Sequence, residues 1–273
     1  MSEVVFPRKL QGAWQRRLRP GAASLRDLAI RWSRHRRGDA YSSYVLAERA
    51  AHAFMPNYVF SEFGLRWLQD EEFRDFYTRY VLEPGRPANW HSADRKYFMR
   101  SLLRIVGDVA GDMAECGVYR GAGARLMALA MQDSGTARAL HLFDSFAGLS
   151  EPDARDGDYW KPHDLRSPVT PVHDALRDIS ISYTIHEGWI PDRFVDVAQQ
   201  TFCFVHIDVD LFQPTLDALE FFYPRLATGG VILLDDHGFT TCPGATAAAE
   251  QWAATVREPI IDVPTGQAFV IKR

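Results

Sequence analysis

Cysteine is scarce: Cys116, Cys203 and Cys242 are the three in 273 residues. They are odd in number, far apart and form no C-x-x-C, which speaks against a disulfide framework and a thiolate zinc site. No apolar run approaches the ~18 residues of a membrane-spanning helix, and the N-terminus lacks the charged-then-apolar pattern of a secretory signal. The expectation is a soluble, cytoplasmic protein without stable membrane insertion. Internal repeats and low-complexity tracts are missing too. Positive charge is not in excess: the net charge of −4 does not fit a general nucleic-acid binder. That average hides an asymmetry, because residues 1–40 hold ten Lys/Arg against three Asp/Glu. A solvated basic face and a contact for a partner, a membrane surface or a second copy both fit this segment.

What is present is the material for an α/β core. At 47% apolar residues, the chain can bury one such core and keep residues for an extra element. Residues 1–94 show helical periodicity in pieces. WQRRLRP and SLRDLAIRWSRHRR read as basic amphipathic turns, whereas YSSYVLAERAAHAF and FGLRWLQDEEFRDFYTRYVL place apolar residues at three-to-four spacing. This is the pattern of an N-terminal helical cap, with EPGRPAN at 83–89 as the linker. From 95 to 273 strand and helix patterns alternate: DMAEC, ALHLFD, ISYTIHE, TFCFVHID and VILLDD are strand-like, with helical segments between them that include PDRFVDVAQQ and one beginning near Pro214 and ending in a Gly229-Gly230 turn, and PIIDV and QAFVIK close the chain. Such alternation means βαβ units and a mainly parallel sheet.

Two of these strands end in acids, one in Asp208-Val-Asp210 and the next in Asp235-Asp236. In an open parallel sheet, neighbouring strands joined by one helix point the same way, so both acidic ends reach the ligand-binding edge. Four carboxylates there repel one another and lose hydration, and a cation is the expected remedy. Asp208 and Asp210 share a side while the chain stays extended. Asp235 and Asp236 can reach one ion only if their strand has ended, and His237-Gly238 supports a turn there. Oxygen-only ligands favour Mg²⁺, Mn²⁺ or Ca²⁺ over zinc. His206 and His237 lie nearby, although a lone histidine at a strand end is more often a satisfied structural group.

A second constellation precedes it. Glu115-Cys-Gly117-Val-Tyr119-Arg-Gly121-Ala-Gly123 has the form E-x-G-x-x-x-G-x-G between a strand and a helix. Glycines there permit a sharp turn and let a ligand lie against bare amides at the helix N-terminus. The spacing departs from the G-x-G-x-x-G of nicotinamide enzymes. Asp144, at the end of the following strand and before Ser145, stands where an acid takes the ribose hydroxyls of an adenosine; capping the next residues is the plainer role. The loop has Arg120 but no lysine, so it offers a nucleoside site without a phosphate cradle, which suits S-adenosylmethionine. Glu115 would face the methionine ammonium. Glu187-Gly188-Trp189 follow the third strand, where a side chain reaches adenine, and packing alone explains them equally well. With a metal to lower the pKa of an alcohol, a free carboxylate to take its proton and a sulfonium methyl held in line, methyl transfer by displacement follows.

Together ECGVYRGAG, LFDSFAGL, HIDVDLFQPTLDALEFFYPRLATGGVILLDDHGF and CPGATAAAEQW resemble the metal-dependent sugar O-methyltransferases typified by the macrocin and mycinamicin enzymes. The resemblance covers about 95–273 and implies a Rossmann-like class I S-adenosylmethionine-dependent methyltransferase, with a mainly parallel seven-stranded sheet and helices on both faces. It further implies that Asp208, Asp235 and Asp236 hold Mg²⁺ and that Asp210 is the general base. The cofactor site is then expected along Glu115, Gly117, Tyr119, Gly121, Asp144, Ser145, Glu187, Gly188, Trp189 and Asp208. The acceptor would be a small molecule or glycan, most simply a sugar hydroxyl of a glycosylated natural product, and the protein a homo-oligomer that binds no nucleic acid. Phe212 and His237 stand where the family pattern often has tyrosine, beside the expected acceptor pocket. Residues 1–94 and the loop after the second strand, with Asp153, Asp156, Asp158, Tyr159, Trp160 and His163, would shape that pocket, the loop as a lid. The rival readings are a phenol or catechol O-methyltransferase, a glycosyltransferase using Asp208-Val-Asp210 as its metal motif, and a non-catalytic binding module on the same fold.

Overall fold

The computed structural model describes residues 22–54, 66–83 and 90–273. The basic WQRRLRP turn and residues 84–89 of the expected linker lie outside the described residues. The chain divides into two compact units, Met1–Gly64 and Leu65–Arg273. This division falls earlier than the 94/95 boundary expected from sequence.

In the smaller unit α1 (Ala22–His35) and α2 (Ala40–Phe54) form a helical pair. Asp27 joins them, accepting from Arg31 at 3.0 Å and from Arg49 at 2.8 Å. These solvent-exposed ion pairs add little to stability.

The larger unit is built on seven strands: β1 (Asp112–Cys116), β2 (Ala139–Asp144), β3 (Ser182–Glu187), β4 (Phe202–Ile207), β5 (Leu226–Leu234), β6 (Ile261–Asp262) and β7 (Ala268–Ile271). Their order is β3-β2-β1-β4-β5-β7-β6. The first five run parallel, and β7 pairs antiparallel with β5 and β6. The helices are α3 (Glu71–Tyr80), α4 (Ala93–Leu103), α5 (Ala122–Ser134), α6 (Thr170–Leu176), α7 (Phe212–Arg225) and α8 (Pro243–Val256).

The central strands are buried on both faces, which is why FCFVHI reads as a continuous apolar run rather than an alternating one. Met113, Phe204, Val231 and Leu233 pack into the cluster that holds residues of α3, α4 and α5. Ala114, Val205, Ile232 and Leu234 pack into the other, with Phe222 of α7 and Trp252 of α8. Phe222 is fully buried and meets Phe194 and Phe202 edge-on, both at 5.0 Å between centroids. Phe222→Ala is therefore expected to lower the unfolding free energy by about 3–5 kcal/mol, read by chemical denaturation.

Packing on the first face also fixes α4, which matters for the site. Tyr77 of α3 stacks on Trp90 at 4.8 Å and shares a 2.7 Å hydrogen bond with Ser92, at the start of α4. Asp70 accepts from the Phe73 amide at the N-terminus of α3 and also from Arg100 of α4. A carboxylate at a helix start is favourable, and here it ties two helices together.

Three local expectations shift. Gly229-Gly230 lies inside β5 rather than in a turn, because the Gly229 amide donates to Lys272 O and the Lys272 amide to Gly230 O, at 2.7 and 2.9 Å, carrying the pairing through. PDRFVDVAQQ forms only a 3₁₀ segment at Asp192–Val197. Helix α7 begins at Phe212, whose amide donates to the Asp156 carboxylate at 2.6 Å, so the long loop caps the helix.

Candidate active site

The carboxyl ends of β1, β2 and β4 and the turn after β5 open onto a cavity of about 630 Å³, within the range of small-molecule sites. Both constellations read from the sequence meet on it.

At the glycine loop, Gly117 has φ +83, and a Cβ there would lie 1.8 Å from Asp208 O. Glycine is required by both conformation and space. The Asp144 carboxylate holds the loop, its Oδ2 accepting from the Val118 and Tyr119 amides at 2.8 Å each and its Oδ1 from the Phe146 amide at 2.7 Å. Asp144 thus caps Phe146 and pins the loop, and it lines the cavity as well. Of the other expected cofactor residues, Glu115, Gly117, Tyr119, Ser145, Gly188, Trp189 and Asp208 line the cavity, but Gly121 and Glu187 do not. Gly121 instead gives space to α6, since a Cβ would sit 3.1 Å from Val172 Cα and 3.2 Å from Ala175 Cβ. Glu187 is exposed at the end of the sheet's edge strand.

Glu115 is 2% exposed. Sheet register sets it beside His206 of β4, and Oε1 shares a 2.9 Å hydrogen bond with His206 Nδ1. Its other oxygen, Oε2, has no hydrogen-bond partner among the described residues. Burial raises its pKa, with His206 opposing. Gly123 makes the room, because a Cβ there would fall 1.8 Å from Glu115 Oε1.

The acidic edge is more crowded with cations than the sequence suggested. His206 is fully buried and joins Glu115 to Asp235, whose Oδ1 lies 3.2 Å from Nε2. Burial disfavours its charge, but the bonds to Asp235 and Glu115 prevail and lift its pKa to about 9. An imidazolium between two carboxylates uses both ring N–H groups. Asp235 also accepts from Gln267 at 2.7 Å and from Arg95, while Lys96 Nζ lies 4.0 Å away. Against the effect of burial, Lys96, Arg95 and His206 hold its carboxyl well below the usual range. Arg95 and Lys96 come from the first turn of α4.

Asp210 and Asp236 lie on the other side. Asp210 has φ +60, so the extended geometry expected after Asp208 breaks there. The Asp210 amide donates to Asp236 Oδ2 at 3.0 Å, and Cys242 Sγ to Asp210 Oδ1 at 3.4 Å. Burial, then the charge of Asp208, pushes Asp210 up to about 7. Burial and repulsion from Asp210 push Asp236 well above its ordinary value.

Residues 98–271 match the family model of the macrocin-O-methyltransferases (TylF). The chain belongs to the macrocin-O-methyltransferase family. It is 28% identical over 152 residues to a rhamnosyl-tetracenomycin-C 4′-O-methyltransferase of Streptomyces olivaceus, covering 52% of this chain and 58% of that protein. It is 27% identical over 196 residues to demethyldecarbamoylnovobiocin O-methyltransferase of Streptomyces niveus, covering 65% and 74%. The O-methyltransferase NovP has the same fold, with a TM-score of 0.57 and 23% identity over 68% of this chain and 84% of that one. The chain thus spans less than two thirds of the first relative's length.

Two findings bear on a metal in this member of the family. Ligand atoms of His206, Asp208 and Asp235 fall within 4.8 Å of one another, and so do those of Asp210, Asp236 and Cys242. The expected ligands Asp208, Asp235 and Asp236 are thereby divided between two groups, because Arg95, His206 and Gln267 draw Asp235 to one side. The charge balance nevertheless fits a divalent ion. Five carboxyl groups, from Glu115, Asp208, Asp210, Asp235 and Asp236, face the cations Arg95, Lys96 and His206. Two positive charges are wanting, and burial with mutual repulsion raises the pKa of both Asp210 and Asp236. A hard divalent cation would supply both charges, and carboxylate oxygens suit it.

Neither departure from the family pattern lines the cavity. Phe212 is buried under Arg155, 3.4 Å from its ring, and His237 Nε2 pairs with Asp262 at 3.0 Å. The long loop is anchored by Asp156, 3% exposed, and it sets Tyr159 and Trp160 on the cavity wall. Arg95, Lys96, Gln267 and Cys242 were not singled out by sequence reasoning. Consecutive cations in a helix's first turn, where acids are preferred, were the signal for the first two.

Proposed function

We propose that the chain is a Mg²⁺-dependent O-methyltransferase that moves the methyl of S-adenosylmethionine to a sugar hydroxyl of a glycosylated natural product. The observation that carries this is Asp210, a carboxyl nine-tenths buried on the cavity, next to three further acids suited to a cation. Asp208, Asp235 and Asp236 would hold the ion, which lowers the pKa of the acceptor hydroxyl. Asp210 takes the proton of that hydroxyl, and the tie from its amide to Asp236 keeps the base in register. Glu115, Asp144 and the Gly117 turn hold the methyl donor. Tyr159 and Trp160, in edge contact at 4.8 Å, offer a face to a sugar ring and shield the reacting oxygen from water. Residues 1–94 serve acceptor choice or assembly with a second copy.

The test is transfer of a labelled methyl to a glycosylated aglycone, a free nucleoside-diphosphate sugar and a catechol. Label in a sugar hydroxyl of the glycosylated aglycone supports the proposal, and label in the nucleotide sugar alone would overturn the choice of acceptor. Label in the catechol alone would promote the phenol reading, which the same ion chemistry permits.

The buried acids also set a pH dependence. Asp210 rises from 3.8 to about 7 on folding, so holding its proton stabilises the protein fully below about 4, and this contribution is lost as pH rises through about 7. His206, raised from 6.5 to about 9, stabilises below about 6.5 and loses its contribution through about 9, in the same direction. The metal-free protein is expected to melt lower at pH 8 than at pH 6, with Mg²⁺ raising the melting temperature more at pH 8. Equal stabilisation by Mg²⁺ at both pH values would remove the acids as its ligands.

A further inference from the structure

Asp210, the proposed base, stands in a turn that its residue type does not favour. At φ +60 it is left-handed without being glycine, and such a backbone persists where its surroundings over-determine it. On the N-terminal side the Asp208 amide donates to Cys116 O at 2.9 Å, and the Asp210 amide itself donates to Asp236 Oδ2 at 3.0 Å. On the C-terminal side the Leu211 amide bonds Val209 O within the turn at 2.6 Å. Leu211 gives α7 no side-chain cap, and the Phe212 amide donates instead to Asp156 Oδ1 at 2.6 Å.

Asp156 belongs to the long loop after β2 and is 3% exposed. A buried carboxylate is costly unless it is bonded. Its Oδ2 accepts from the Asp153 amide at 2.8 Å, and α8 approaches Oδ1, since a Cβ on Gly244 would fall 1.9 Å from it. One carboxylate of the loop thus sits between the N-terminal ends of α7 and α8, where helix dipoles favour an anion. The adjacent Arg155 lies over the Phe212 ring at 3.4 Å. The same loop makes a second tie to the base. Trp160 Nε1 donates to Cys242 Sγ, and Cys242 Sγ donates to Asp210 Oδ1, each at 3.4 Å.

We propose that Asp156 is a positioning residue for Asp210, and that with the Trp160–Cys242 tie it completes the base only when the long loop is seated. This rests on the reading of Asp210 as the base. The backbone tie sets the turn that carries Asp210, and the thiol orients its carboxyl group. Seating the loop over an acceptor therefore closes the site and aligns the base together.

The test combines amide exchange, read by NMR, with labelled-methyl transfer to the glycosylated aglycone in Mg²⁺ and saturating S-adenosylmethionine. Asp156→Ala should speed exchange of the Phe212 amide at least about tenfold. It should cut kcat about ten- to hundredfold while S-adenosylhomocysteine binds as before. Asp156→Asn, whose carbonyl can still accept from Phe212, should restore much of both. Cys242→Ala should lower kcat and leave the acceptor KM, whereas Cys242→Ser, which keeps a donor, should recover. A loss confined to KM in Asp156→Ala would overturn the proposal, because the loop is then a cover alone. So would an equal loss of S-adenosylhomocysteine affinity, the mark of a general collapse. Full kcat in Asp156→Ala beside an inactive Asp210→Asn would overturn the proposal by itself. A wild type without transfer, or Asp210→Asn with it, would overturn the base reading and the proposal together.

Discussion

Asp210→Asn is expected to cut turnover by roughly 10²–10⁴-fold, the usual contribution of a general base, while S-adenosylhomocysteine binds as before. The substitution isolates chemistry from folding. Asparagine tolerates the left-handed backbone that Asp210 adopts at φ +60 better than most residues. Its amide can still donate to Asp236, and its side-chain oxygen can still accept from Cys242. What it lacks is a basic oxygen beside the acceptor. The wild-type rate should also fall on the acid side, because the base works only when ionised. With Asp210 at about 7 before a cation binds, that limb lies at or below about pH 7 in the Mg²⁺-loaded enzyme. In Asp210→Asn the limb should vanish. Retained turnover would point to another base, and absence of turnover in the wild type to a non-catalytic module.

Gly117→Ala is expected to be the most damaging change in the glycine loop. A Cβ would lie 1.8 Å from Asp208 O, at a φ of +83. The contact is backbone on backbone, so no side chain can swing away. The Gly117 amide bonds Phe143 O at 2.9 Å and the Asp208 amide bonds Cys116 O at 2.9 Å, which fixes both sides of the clash. Left-handed strain and overpacking each cost about 1–3 kcal/mol, and the sum should lower the melting temperature by roughly 5 °C or more. Cofactor affinity and metal response should fall together, because the displaced carbonyl belongs to Asp208. Gly121→Ala should act differently. It crowds α6 rather than the ligand, so stability should drop while the variant that folds keeps its cofactor affinity.

The contrast between these two glycines shows what the sequence could carry. The sheet was legible because buried strands such as FCFVHI leave continuous apolar runs, and because acids at two consecutive strand ends must arrive at one edge. The glycine loop was legible as a turn, but which glycine faces ligand and which faces helix depends on where α6 packs, some fifty residues on in the chain. The acidic edge was half legible. Counting its carboxylates predicted a need for positive charge, whereas Arg95 and Lys96 supply part of that charge from a helix that precedes the motif. His206 was correctly weighed as a satisfied group, yet its two partners follow from register between β1 and β4, which periodicity alone does not specify. The role of Asp156 as a cap on α7 was hidden for the same reason: it lies in a loop without periodicity, and its partner is a backbone amide.

The central claim is that this acidic edge and the glycine loop form one site for a sulfonium methyl donor and a divalent cation. It is tested most directly by titrating S-adenosylhomocysteine and Mg²⁺ into the protein in a calorimeter, alongside a UDP-sugar with Mn²⁺. The account predicts saturable binding of S-adenosylhomocysteine, with heat for Mg²⁺ that Asp208→Asn abolishes, and no binding of the UDP-sugar. Silence with S-adenosylhomocysteine and binding of the UDP-sugar would contradict it and turn Asp208-Val-Asp210 into the motif of a glycosyltransferase.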